Sequence, residues 1–100
     1  MKMCMLDSIR ERREQLYAIA DRNNVDKLYL FGSCARKEET ADSDVDFLAR
    51  FRPGASLFDQ IGIINDFQSF LGRKVDVIST RSLKSAPRFA NQVMRDLIAL

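Results

Sequence analysis

The sequence predicts a small α/β (α+β) fold: one mixed β-sheet of about three strands with helices packed on it. Three observations predict it. The segments "KLYLF", "DVDFLARF" and "KVDVIS" are short, apolar or alternating, and read as strands. The stretches around them carry apolar residues at helical spacing. The turn and short helix between the first two strands are too brief for an ordinary parallel crossover, so a mixed sheet is expected. The chain's 100 residues, 46% of them apolar, suit residues 1–100 as a single domain with a packed core.

Taken in order, Ser8 and Glu11 fit a capping box, and Ile9, Leu16, Tyr17 and Ala20 recur at helical spacing. This predicts a helix over 8–22, ended by Asn23-Asn24. Lys27 to Phe31 reads as a buried strand, stopped by Gly32-Ser33, with a short helix over 33–38. Along Asp44 to Phe51, Val45, Phe47 and Ala49 face one way while Asp44, Asp46 and Leu48 face the other. Arg52-Pro53-Gly54 ends that strand. Ser56 caps the next helix with Asp59 at its third position, Leu57, Ile61, Ile64, Phe67 and Leu71 form its stripe, and Gly72 closes it. Lys74 to Ser79 is the third strand. Pro87 starts a last helix, striped by Ala90, Val93, Met94, Leu97 and Ile98.

Composition narrows the chemistry. The chain has no histidine, which removes Ser-His-Asp and Cys-His catalysis and histidine-zinc sites. A metal, if used, is then a hard cation on carboxylates. The net charge of +2 argues neither for nor against nucleic acid. The basic clusters Arg10, Arg12, Arg13 and Arg81, Lys84, Arg88 read as solvated helix faces, without the aromatic interleaving of a nucleic-acid surface. The charged N-terminus lacks a secretion signal, and no apolar run is long enough to cross a membrane. Cys4 and Cys34 are accordingly expected as reduced thiols in a cytoplasmic protein, Cys34 as a packing residue.

Two features invite a functional reading. Asp44 and Asp46 point to one strand face with Cα atoms about 7 Å apart. At about 5 Å between carboxylates and an effective dielectric of about 20, they repel by about 3 kcal/mol. A divalent cation with a substrate phosphate would turn that repulsion into binding; a solvent-exposed strand face explains the pair without a ligand. Gly32-Ser33 follows a buried strand and opens a helix, which suits a phosphate, with Arg36 in reach. A plain strand-to-helix turn capped by Ser33 explains it equally well.

Together, "GSCAR…SDVD" resembles the minimal nucleotidyltransferases of the DNA polymerase beta-like superfamily, whose hallmark is G-S, about ten residues, then D-x-D. The resemblance covers essentially the whole chain and implies the polymerase beta-like nucleotidyltransferase fold. It implies that Gly32 and Ser33 hold the β- and γ-phosphates of a nucleoside triphosphate, with Arg36 contacting phosphate. Asp44 and Asp46 would hold magnesium or manganese, and Asp76, in "KVDVIS", would be the third carboxylate, binding metal or taking the proton of the attacking hydroxyl. Asp76 also stands out as a charge between Val75 and Val77; an edge-strand charge that blocks aggregation is the other account of it. The resemblance implies ATP as substrate and, as partner, a HEPN-domain toxin that receives AMP, with this chain as antitoxin. Where family members often have glycine after the arginine, this chain has Lys37-Glu38-Glu39. That departure predicts a loop closed differently, with acids that repel phosphate, and leaves open a nucleotidyltransferase-like module that neutralises its partner by contact.

Overall fold

The computed structural model describes residues 4–100. The elements run α1 (Met5–Glu11), α2 (Arg13–Arg22), β1 (Val25–Phe31), α3 (Gly32–Ala35), β2 (Val45–Phe51), α4 (Leu57–Leu71), β3 (Val75–Ser79), α5 (Thr80–Lys84), α6 (Pro87–Asp96) and β4 (Ile98–Ala99). The sheet is mixed, in the order β3-β2-β1-β4: β1 pairs antiparallel with β2 and β4, and β2 parallel with β3. The parallel pair is bridged by the 15-residue α4, the antiparallel one only by α3 and a loop, as crossover length requires.

Strand alternation sorts the residues onto two faces. Leu28 and Leu30 of β1, Val45, Phe47 and Ala49 of β2, and Val75 and Val77 of β3 bury into the main core with Ile9, Leu16, Ile63 and Phe67. Phe47 and Phe67 meet at 4.8 Å between ring centroids. Phe31 and Leu48 point the other way, against Val93 of α6. Asp46 and Asp76 belong to this second face, beside a thinner apolar cluster than the main core.

Four expectations are corrected. The sheet has a fourth strand. The last helix stops at Asp96, and Ile98, placed by its spacing on that helix's stripe, instead pairs with Leu30, while Ala99 pairs with Tyr29. The open edge of β1 is the cause: its backbone groups need partners, Leu100 donates its N–H to the Leu28 carbonyl at 3.1 Å, and its side chain is buried. Met94, also placed on the stripe, is exposed.

The first helix begins at Met5 rather than at Ser8 and is interrupted at Arg12. Its cap comes from afar: the Met5 N–H donates to the Glu39 carboxylate at 2.6 Å, an acidic partner suited to a helix N-terminus. Ser8 lies inside α1, and its hydroxyl accepts from Arg12 at 3.0 Å.

On α4, Leu57 and Ile61 are exposed at 70% and 48%, while Ile63 and Phe67 carry the burial. Apolar residues occur all round this helix, so spacing alone did not choose the buried face. Its ends are as expected: the Asp59 carboxylate accepts the Ser56 N–H at 2.8 Å, and Gly72 adopts φ +66°.

The fourth correction is α5, absent from the predicted order. The Ser79 hydroxyl starts it by accepting the Ser82 N–H at 3.1 Å, a Ser-x-x-Ser cap legible in the sequence.

Candidate functional site

Strand register gathers the site. In the parallel pair Asp46 lies opposite Asp76, and in the antiparallel pair it lies opposite Phe31, the residue before Gly32. Directly paired residues share a face, and adjacent strands lie about 4.8 Å apart. Asp46 and Asp76 are therefore side by side on the second face, at the sheet end where β1 runs into α3.

Gly32 is constrained there twice. Its φ is +76°, a conformation side chains disfavour. A Cβ built on it would also lie 2.5 Å from Asp46 Oδ2. The Asp46 carboxylate thus rests against the bare Cα of the glycine-serine turn.

Asp46 is half-buried, and its carboxyl is pushed up to about 6. Burial is the largest cause, followed by the charges of Asp76 and Asp44; Arg36 opposes them weakly. Asp44 is exposed, just before β2, and its backbone carbonyl accepts the Cys34 thiol at 3.7 Å. Asp76 is exposed as well. Among the described residues, no three acidic or thiol side chains close into a ready-made metal cage. A magnesium held by one or two carboxylates and completed by substrate phosphates does not need one.

Arg36 is held by two acids. Its Nη1 donates to Asp96 Oδ2 at 2.6 Å and its Nε to Glu38 Oε2 at 3.1 Å. Asp96 lies 60 positions along the chain, at the end of α6, and nothing in the sequence pairs it with Arg36. Arg73 was also missed. Its Nη2 donates to the carbonyls of Thr40 and Ser43 at 2.9 and 2.7 Å, pinning the loop that delivers Asp44.

The Lys37-Glu38-Glu39 segment closes where a glycine is common. Lys37 itself takes the left-handed conformation, φ +59°. Its N–H bonds to the Cys34 carbonyl at 3.2 Å and that of Glu38 to the Ser33 carbonyl at 2.9 Å, the two bonds of a Schellman ending. Lysine here takes a left-handed conformation of the kind glycine adopts without strain. The acids are engaged as well, Glu38 with Arg36 and Glu39 with the start of α1.

Cys34 is fully buried, and burial raises its thiol to about 11, so it packs and does not attack. Cys4 and Cys34 are both free. Arg81, Lys84 and Arg88 are exposed, and Arg12 stacks over Phe70 at 4.8 Å. No helix among the described residues is long and apolar enough to cross a membrane.

Two hollows border the sheet. The larger, about 400 Å³, lies at the far ends of β2 and β3, between Phe51, Leu57, Ser79 and Arg81, and none of the aspartates lines it. The smaller, about 160 Å³, includes Gly32 and Arg36 in its lining. Asp44, Asp46 and Asp76 do not line the smaller hollow either; it adjoins them through Gly32, which meets Asp46.

Comparison with known proteins agrees with this geometry. The nucleotidyltransferase domain model matches residues 6–100. A protein adenylyltransferase of Methanocaldococcus jannaschii is 32% identical over 96% of this chain and 98% of its own. The protein adenylyltransferase MntA of Thermococcus cleftensis is 35% identical over 80% of this chain and 79% of its own. A solved minimal nucleotidyltransferase superposes with a TM-score of 0.81 at 38% identity, covering 95% of both chains. Two solved toxin-antitoxin complexes share the fold at 19% and 17% identity, with TM-scores of 0.71 and 0.66, over 86% and 90% of this chain and 69% of each of theirs. One holds AMP-PNP; the other is a tri-AMPylated Shewanella oneidensis HEPN toxin with its MNT antitoxin. The mixed sheet and its helices form the polymerase beta-like nucleotidyltransferase fold, and the chain belongs to the nucleotidyltransferase domain family.

Proposed function

We propose that this chain is a metal-dependent nucleotidyltransferase that moves AMP from ATP to a hydroxyl of a partner protein, a HEPN-domain toxin for which it is the antitoxin. One observation carries the chemistry: Asp46 sits beside Asp76 and against Gly32, so the acidic pair and the phosphate turn share one sheet end. The partner is supported by relatives named protein adenylyltransferases and by the HEPN–MNT complex among the fold neighbours.

The residues suit a divalent cation. Asp46 carries a charge disfavoured by burial and by two neighbouring carboxylates, and among the described residues Arg36 offsets it. Asp44, Asp46 and Asp76 would hold magnesium or manganese. Such a metal, when bound, neutralises the triphosphate and stabilises the attacking and leaving oxygens.

The chain's own residues do the rest. The bare Cα of Gly32 makes room for the Asp46 carboxylate beside the turn, and the N–H groups opening α3 with the Ser33 hydroxyl bind the β- and γ-phosphates. Arg36 keeps Glu38 and exchanges Asp96 for a phosphate oxygen, so its charge stays paired. Asp76, exposed and next to Asp46, takes the proton as the acceptor oxygen bonds to the α-phosphorus and pyrophosphate departs. The Lys37-Glu38-Glu39 segment does not favour a contact-only module, since its acids are already partnered.

The test is transfer of label from α-labelled ATP with magnesium to a co-purified HEPN-domain partner. Labelled partner is expected, and none with the joint Asp44→Asn and Asp46→Asn variant. A folded protein that labels nothing overturns the reading.

A further inference from the structure

We propose that the hollow between the start of α4 and α5, together with the apolar patch beside it, docks an acidic segment with an apolar face from the acceptor protein. This rests on the reading of the chain as a transferase that acts on a protein. It places recognition of that protein away from the chemistry.

The patch is short and continuous. Leu57, Phe58 and Ile61 are 70%, 84% and 48% exposed. They occupy adjoining positions at the start of α4, so their side chains form one strip. Single exposed apolar residues are ordinary on a surface, but a contiguous group marks an interaction site. The core does not need these three, since Ile63 and Phe67 bury the helix.

The hollow continues the strip. Leu57 lines it, and Phe51 gives a second apolar wall. Its volume of about 400 Å³ falls within the roughly 300–1,000 Å³ of sites that enclose a ligand.

The opposite wall is cationic. Arg52, Arg81 and Lys84 line the hollow, and no acidic side chain does so among the described residues. Arg52 is already paired with Asp21. Arg81 and Lys84 are three positions apart on α5, hence on one face. Neither makes an ion pair among the described residues. Apolar side chains flanked by aspartate or glutamate complement such a surface in shape and in charge. A second copy of this chain does not: a two-fold contact sets a patch against itself, and so brings Arg81 and Lys84 against their own kind. Nucleic acid would use the cations but leave aliphatic Leu57 and Ile61 without a stacking role.

The position suits recognition of a large substrate. Phe51 lies five positions beyond Asp46 on β2, about 16 Å along the strand. A segment held there leaves the aspartates free for metal, triphosphate and the acceptor hydroxyl.

The test is calorimetric titration of the HEPN-domain partner, separated from the chain, with the unmodified protein and its variants, followed by label transfer over a range of partner concentrations. Phe58→Ser, and Arg81→Glu jointly with Lys84→Glu, should each weaken binding about tenfold. The effect of the charge reversal should shrink at high salt. The KM for the partner should rise by about the same factor, with kcat unchanged at saturating partner. If Phe58→Ser does not fold, Leu57→Gln carries the same expectation. Folded variants that bind and label the partner as the unmodified protein does overturn the docking surface and leave the transferase standing. Binding that the variants weaken, with no label transferred by the unmodified protein, overturns the transferase reading and leaves the docking surface standing. Partner binding unchanged, while Phe58→Ser abolishes self-association in sedimentation or the charge reversal abolishes binding of single-stranded RNA, overturns the protein occupant. An unmodified, folded protein that does not bind the partner overturns this inference as well.

Discussion

Asp46 Oδ2 fills the space that a side chain on Gly32 would need, 2.5 Å from where a Cβ would lie. The glycine and the aspartate are thus one unit, although 14 positions separate them in the sequence. Gly32→Ala would have to displace the carboxylate and also hold alanine at φ +76°. The backbone cost alone is about 1–2 kcal/mol. Thermal denaturation should show at least that loss, and AMP transfer should fall by more than the folded fraction does, because Asp46 has moved.

Asp46→Asn separates stability from activity. The carboxylate is held at an energetic cost by burial and by Asp76 and Asp44. Removing its charge should stabilise the metal-free protein at pH 7 by about 1–2 kcal/mol, after allowance for solvent screening of a half-buried group. Transfer should be lost. A variant that is both less stable and inactive would mean that Asp46 is structural.

The same group sets a pH dependence. Its folded pKa, about 6, exceeds the ordinary 3.8, so the folded state binds more protons than the unfolded one between these values. Stability of the metal-free protein should therefore fall as pH rises from about 4 to about 6, then stop changing on this account. Metal needs the ionised carboxylate. At limiting magnesium, transfer should decline below about pH 6, and saturating magnesium should move that limb to lower pH. Rate profiles at two magnesium concentrations check this.

Lys37→Gly tests the segment that departs from the family. Lysine at φ +59° pays the left-handed penalty that glycine escapes. Its ion pair with Asp7, 3.8 Å long and between exposed groups, returns little. Denaturant unfolding should show Lys37→Gly more stable by about 1 kcal/mol, with transfer unchanged. A destabilised variant would mean that the lysine side chain has a further role.

Glu39→Gln examines the remote cap of α1. The Met5 N–H would keep an acceptor but lose the charge at the helix start. A loss of about 0.5–1 kcal/mol is expected in thermal denaturation, reduced at high salt.

Local pattern made much of the fold legible. Alternation along Val45–Ala49 named the core face of β2 correctly, and Ser56, Asp59, Gly72 and Pro87 marked helix ends that the structure keeps. These features act within a few residues of themselves, so they survive reading in one dimension. Ile98 was misplaced because helical spacing cannot register an open strand edge. Ser8 was misplaced because the actual cap, Glu39, lies more than thirty positions away. The sequence by itself determined the turn at Gly32-Ser33, the aspartates at 44, 46 and 76, and their order along the chain. Only the tertiary structure decided that Asp46 lies beside Asp76 and against Gly32, that Asp96 tethers Arg36, and that Arg73 holds the loop before Asp44. Strand register and long-range ion pairs depend on how distant segments share one core, and no local pattern encodes that choice.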